Sequence, residues 1–198
     1  SVFLYPKGFQ LKSYTLLFKD SSMWRAYGNT IIYAASSTLL TLITSVLAAY
    51  PLTVHGLHAR RFFVTYLLIP MYFSGGLIPS FLLINNLGLY GTRWAIILPA
   101  SYSIWNIMLV RTFFSNLPED LRESAKMDGA AHIRILFQIY LPLAKSILAV
   151  VAIYSIVGMW NSWFNAMVYL PHTTWQPLQL YLRELLILDK NTDSFMNA

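Results

Sequence analysis

Charge is what this chain has least of. Asp, Glu, Lys and Arg make up 11% of its 198 residues, against 57% hydrophobic residues, and mean hydropathy is +0.52. Soluble domains carry about 25% charged residues, so this chain has too few to cover a water-facing surface. Disorder is excluded as well, because disordered chains are polar and charge-rich. Cysteine is absent altogether. That removes a disulfide framework, a thiolate zinc site, an iron–sulfur cluster and a thiol nucleophile. Acidic residues (8) are scarcer than basic ones (14). The basic residues are scattered between apolar runs and form no stripe. The nucleic-acid reading that a basic protein invites therefore gives way to loop charges beside lipid headgroups. No signal-peptide pattern is visible, and the chain starts at Ser1 rather than Met, so further sequence is expected ahead of it.

What is present is a series of long uncharged runs, and a bilayer is the solvent they suit. A spanning helix needs about 20 apolar residues. No charged residue occurs between Arg25 and Arg60, or between Arg61 and Arg93. Four spans are expected, at about 29–54, 62–84, 93–114 and 142–170, and the fold class is all-α integral membrane. The first span is rich in small residues (Ala34, Ala35, Ser36, Ser37, Ala48, Ala49) that let helices approach closely in lipid. Pro70, Gly75, Gly76 and Pro79 interrupt the second, which predicts a kinked or discontinuous helix. Pro99 lies in the third. Consecutive spans alternate sides, and the basic residues then divide seven (Arg60, Arg61, Arg111, Arg122, Lys126, Arg134, Lys145) to seven (Lys7, Lys12, Lys19, Arg25, Arg93, Arg183, Lys190). The count of positive charge therefore leaves orientation open.

The polar segment 115–141 holds the only acidic cluster, Glu119, Asp120, Glu123 and Asp128. Pro118 suits a first helical position, and Glu119 and Asp120 complement the positive end of the helix dipole. Gly129 reads as a left-handed cap. A second short helix follows over about 130–140, with Ile133, Phe137 and Tyr140 expected on one face, and Pro142 is expected to open the fourth span. Ser124 and Ala125 form a small-residue face flanked by Glu123 and Asp128. Such a face fits a docking peg whose carboxylates pair with Arg or Lys on another protein. It also fits an amphipathic helix on the membrane surface.

Glu123-Ser124-Ala125, then Gly129, then Ile139, then Leu141-Pro142 resembles, interval for interval, the EAA loop of ABC importer permeases, with Ser124 where alanine is usual. Asp128-Gly129-Ala130 is similar to the carbohydrate branch. Phe9-Gln10-Leu11-Lys12-Ser13-Tyr14, Trp24, Asn29-Thr30, the run from Met71 to Pro79, and Pro177 to Glu184 resemble its complex-oligosaccharide subgroup, the lipoprotein-type, alginate and rhamnogalacturonan permeases. The resemblance implies a polytopic bundle of six spanning helices, of which four are visible, the first lying upstream of Ser1 and the last beyond Ala198. It implies a multi-pass protein of the bacterial cytoplasmic membrane. Segment 115–141 would be cytoplasmic, and 1–28 and 171–198 extracytoplasmic.

The function implied is permease subunit of an ATP-driven importer working by alternating access. A coupling helix would dock on the ATPase through Glu123, Ser124, Ala125, Asp128, Gly129, Ala130, Leu141 and Pro142. Implied partners are a second permease subunit, two ATPase subunits, an extracytoplasmic solute-binding protein, membrane lipid and a carbohydrate. ATP and magnesium would be bound by the ATPase, and no cofactor by this chain, which has no P-loop motif.

Sugars are held by aromatic faces and amides, so Tyr72, Ser74, Tyr102, Trp105, Asn106, Trp160, Asn161, Trp163 and Asn165 are candidates for the substrate path. Polar residues in spans face the bundle interior, although Trp and Tyr also form interfacial belts. His55 and His58 read as a solvated loop, His132 as packing at the docking segment, and His172 as a loop residue. No catalytic residue and no metal site is expected. Alternatives from other classes are a permease for a non-sugar solute, a passive channel, and an intramembrane enzyme, which would need a catalytic polar group inside a span.

Overall fold

The computed structural model describes residues 20–54 and 59–196, with side chains to 187. The stretch Phe9–Tyr14 and the pair His55 and His58 lie outside the described residues. Helix α1, Ser21–Ala49, is the axis of the molecule, about 44 Å long at 1.5 Å per residue. It starts at Ser21 rather than 29 because the Asp20 carboxylate accepts from the Ser22 N–H at 2.8 Å, capping the first turn. A 3-10 turn, Pro51–Thr53, ends it.

The buried stripe of α1 is small and hydroxylic: Ala26, Thr30, Ala34, Ser37, Thr41, Ser45 and Ala49. The hydroxyls of Thr30, Ser37 and Thr41 donate to the carbonyls four residues back at 3.0, 2.6 and 2.8 Å. They are thereby satisfied without water, and neighbouring helices can close on the stripe. Its opposite side carries exposed Ile31, Ile32, Leu39, Ile43 and Leu47, the arrangement a hydrocarbon solvent permits.

Helices α2 (Arg60–Tyr72) and α3 (Leu77–Asn86) form one broken element bent by 112°. The break falls where Gly76 takes a φ of +86°, a conformation that favours glycine. Helices α4 (Trp94–Ala100) and α5 (Ile104–Ser115) make one 22-residue apolar span, interrupted just after Pro99. The carbonyls freed there are recovered from α1: Thr41 donates to Ala100 O at 3.2 Å and Thr44 to Ser101 O at 2.7 Å. Re-satisfaction by a neighbouring helix is what makes such a break tolerable in lipid.

Helix α6 is Glu119–Met127, α7 is His132–Ile135, a π turn covers Leu136–Tyr140, and α8 is Leu141–Leu143. Helix α9, Lys145–Trp160, leaves this unit at a 78° bend. Pro142 therefore does not open the fourth span. It sits ahead of the bend, and its missing N–H keeps the π turn from continuing. Helix α10 (Trp163–Tyr169), a 3-10 turn (Thr173–Trp175) and α11 (Leu178–Met196) complete the order. Among the described residues two helices are long and apolar enough to cross a membrane, and up to four spans result if each bent pair is one. The described residues contain no strand.

One core cluster joins the end of α1 to α5, α7, the π turn and α9 around Ala49, Tyr50, Ile107, Phe114 and Tyr140. A second, around Tyr33, Ile96, Met159 and Leu180, closes the other end.

Candidate functional site

The polar segment builds its geometry from its own backbone. Pro118 caps α6 in extended conformation, and Glu119 and Asp120 occupy the first turn. At the far end Gly129, with φ +77°, donates to Lys126 O at 2.9 Å, and Ala130 donates to Ala125 O at 2.9 Å. This pair of bonds is a Schellman motif, which requires the left-handed residue that glycine supplies. The proline stands one position earlier than expected; the glycine cap is where it was expected.

Side chains divide the segment into an inner and an outer side. Arg122, only 4% exposed, is the buried residue of α6. It pairs with Glu119 and donates from Nη1 to Thr53 O at 3.4 Å, so the helix is tied to the end of α1. The outward face expected of Ser124 and Ala125 is split: Ser124 is exposed with Glu123 and Asp128, whereas Ala125 leans with Ala130 and Leu141 on the core.

Ile133, Phe137 and Tyr140 do not share a face. The first two are 72% and 57% exposed and Tyr140 is 4% exposed. The π turn closes i→i+5 bonds and shifts the register between them. Tyr140 packs edge-on against Tyr50 and Phe114, each at 5.2 Å between centroids, and Tyr50 Oη lies 3.4 Å from His132 Nδ1. Met127, 88% exposed, joins Ile133 and Phe137 to give three large apolar side chains standing out beside a carboxylate pair. Sequence reasoning missed Arg122. Its signal was Glu119 three residues earlier, the spacing of neighbours on a helix.

The substrate candidates are dispersed. Asn106 and Asn165 line one cleft of about 260 Å³, together with Ser37, Ser103, Tyr154, Ser155 and Ser162. Trp105 lines a separate apolar groove beside Met108 and Phe113. Tyr72 is 76% and Tyr102 49% exposed, and neither lines either of the two. Trp160 is in edge contact with Tyr27 at 5.8 Å, and Asn161 donates to Val157 O at 2.8 Å. The Arg183 guanidinium lies 4.0 Å over the Trp163 ring. Asn106 is the buried one, 6% exposed, and its side-chain amide makes no hydrogen bond among the described residues. Tyr154 and Ser155 were not anticipated; small and polar residues at helical spacing were the available signal. Among the described residues there is no group of His, Asp or Glu able to hold a metal.

At the opposite end, the segment after α10 is fastened to α1. Asn29 Nδ2 donates to Thr174 O at 3.0 Å and to Gln176 O at 3.2 Å. Tyr33 donates to Trp175 O at 2.8 Å, and Thr30 Oγ1 accepts from the Leu178 N–H at 2.8 Å.

Comparison with known proteins agrees with this arrangement. The family described as binding-protein-dependent transport system inner membrane component matches residues 37–184. Protein LplC of Bacillus subtilis is 36% identical, over 100% of this chain and 68% of that protein. The polygalacturonan/rhamnogalacturonan transport system permease protein YtcP of the same organism is 32% identical, over 98% of this chain and 68% of its own length. A solved bacterial ABC transporter involved in the import of the acidic polysaccharide alginate superposes with TM-score 0.88 at 35% identity, covering 93% of this chain and 66% of that one. The chain thus spans about two thirds of the length of the proteins it matches.

Proposed function

The chain belongs to the family of binding-protein-dependent transport system inner membrane components, and on that premise we propose that it is the permease subunit of an ATP-driven importer of a sugar or oligosaccharide. The relatives named for rhamnogalacturonan and alginate support an oligosaccharide cargo. In this reading the chain is a transport component. ATP and magnesium belong to two partner ATPase subunits, and a solute-binding protein delivers the cargo to this chain paired with a second permease. The 115–141 segment faces the cytoplasm and the segment after α10 faces outward.

The observation that carries the proposal is the docking segment. Glu123, Ser124 and Asp128 stand exposed around a glycine-capped helix, beside Met127, Ile133 and Phe137. An exposed apolar patch next to carboxylates suits a protein groove with a basic rim. Arg122 and Ala125 anchor the same helix inward, so a push on the peg reaches α1 and the core. Gly129→Asp forces a side chain onto a left-handed backbone, and Glu123→Lys reverses a rim charge. Either variant is expected to abolish substrate-stimulated ATP hydrolysis by the assembled complex while the subunit still inserts. Full coupling in both variants would overturn the reading.

A further inference from the structure

Below α6, at the same end of the molecule, lies a second cleft of about 160 Å³. It is bounded by the end of α1, the start of α2, the end of α5 and the π turn. A water occupies about 30 Å³, so the space suits a group the size of a phosphate. Phe114 and Leu117 provide apolar wall, and the rest is polar: Thr53, Arg60, Ser115, Glu119, Arg122 and Tyr140.

The cleft has donors with nothing to donate to. Tyr140 is 4% exposed, lines the cleft, and its hydroxyl makes no hydrogen bond among the described residues. The hydroxyl of the exposed Ser115 and the guanidinium of the half-exposed Arg60, at the first position of α2, likewise make no hydrogen bond among the described residues. The one carboxylate, Glu119, is paired with Arg122, itself nine-tenths buried. Thr53 is already committed, its hydroxyl donating to Tyr50 O at 2.7 Å and its carbonyl accepting from Arg122. Arg111 stands within electrostatic reach of Arg60, and its buried Nε has no partner among the described residues. The lining itself, Arg60 and Arg122 against Glu119, is net positive and donor-rich, and Arg111 adds positive charge behind it. Donors facing a cleft of this size are open to an acceptor from outside the chain, and the planar Arg60 fork matches two oxygens of a tetrahedral oxyanion.

We propose that this cleft binds a phosphate-bearing anion, supplied either by the headgroup of an anionic phospholipid in the adjoining leaflet or by free inorganic phosphate. Basic pockets between helices at the cytoplasmic surface suit phospholipid headgroups. The bound group would bridge Arg60 on α2 to Ser115 and Tyr140 on either side of the docking helix. Placing that leaflet on the cytoplasmic side rests on the orientation proposed above, but binding is read without transport, so the two fail separately.

The test uses the full-length chain in nanodiscs, as wild type, Arg60→Gln and Tyr140→Phe. In equal parts phosphatidylglycerol and phosphatidylcholine, native mass spectrometry is expected to show phosphatidylglycerol retained by the wild type and retained at least roughly tenfold less by the variants. That outcome assigns the lipid source. In phosphatidylcholine alone, a saturable rise in melting temperature with millimolar inorganic phosphate, absent in both variants, assigns the free anion. If Tyr140→Phe fails to fold, Arg60→Gln decides alone, because that residue is half-exposed at a helix start. No retention and no shift in the wild type overturns the proposal, as does equal behaviour of wild type and variants.

Discussion

Two side chains show how single residues fasten this molecule beyond its apolar core. Tyr181 donates to the Asp20 carboxylate at 2.5 Å, and that bond, followed by the Ser22 N–H, holds the carboxyl below the usual carboxylate range. The same bond pushes the Tyr181 phenol up. Asp20 is charged in the bond, so its contribution is full above the unfolded value of about 3.9 and is lost as pH falls through the lower folded value. The phenol contributes below its unfolded value of about 10 and is lost as pH rises through the higher folded one. Tyr181→Phe is expected to return the Asp20 carboxyl toward its ordinary value, read by carbon NMR of the labelled side chain; an unmoved titration would contradict the assignment. Neither partner advertised itself in sequence, since 161 positions separate them. Arg122 was legible only as a charge, because its burial depends on Thr53, contributed by a different helix.

Among the elements, α1 was the most readable. Its uncharged length and small residues predicted a closely packed span. The partners of its hydroxyls were not predictable, because Ala100 and Ser101 offer carbonyls only where Pro99 interrupts the following span. Thr44→Val removes the 2.7 Å bond to Ser101 O and keeps the side-chain shape. A loss of about 0.6–1.7 kcal/mol is expected for a hydrogen bond between membrane helices, measurable by unfolding in mixed micelles; no loss would mean that water already serves that carbonyl. Segment 115–141 was readable as helix, glycine, helix. The π turn was not, since 3.6-residue periodicity assumes the i→i+4 ladder that it breaks.

For the molecule as a whole, the distribution of exposed apolar surface is the main result. Helix α2 contains no buried residue, and Phe62, Tyr66 and Tyr72 are 66%, 62% and 76% exposed. In the proposed importer this helix adjoins lipid and the second permease. These 198 residues contain no cysteine, so Tyr66→Cys, with any cysteine elsewhere in the protein replaced by serine, gives a single thiol. That thiol is expected to cross-link to the second permease in the assembled complex and to react freely with a lipid-soluble maleimide when the chain is purified alone. Equal reactivity in both states would place α2 against lipid.

The sequence alone determined the solvent, the long uncharged runs and the helix–glycine–helix pattern of 115–141. Each follows from local quantities: scarce charge, run length, and a spacing that fits one short stretch of backbone. Tertiary structure decided which side of each element is used. It turned Ala125 inward and buried Arg122 against the end of α1. It moved Tyr140 off the face of Ile133 and Phe137, and gathered Asn106 and Asn165 into one cleft while leaving Tyr72 and Trp105 outside it. Those outcomes depend on breaks and bends at Gly76, Pro99, the π turn and Ala144. A rotation at a break redirects every later side chain, and the size of that rotation is set by distant packing partners.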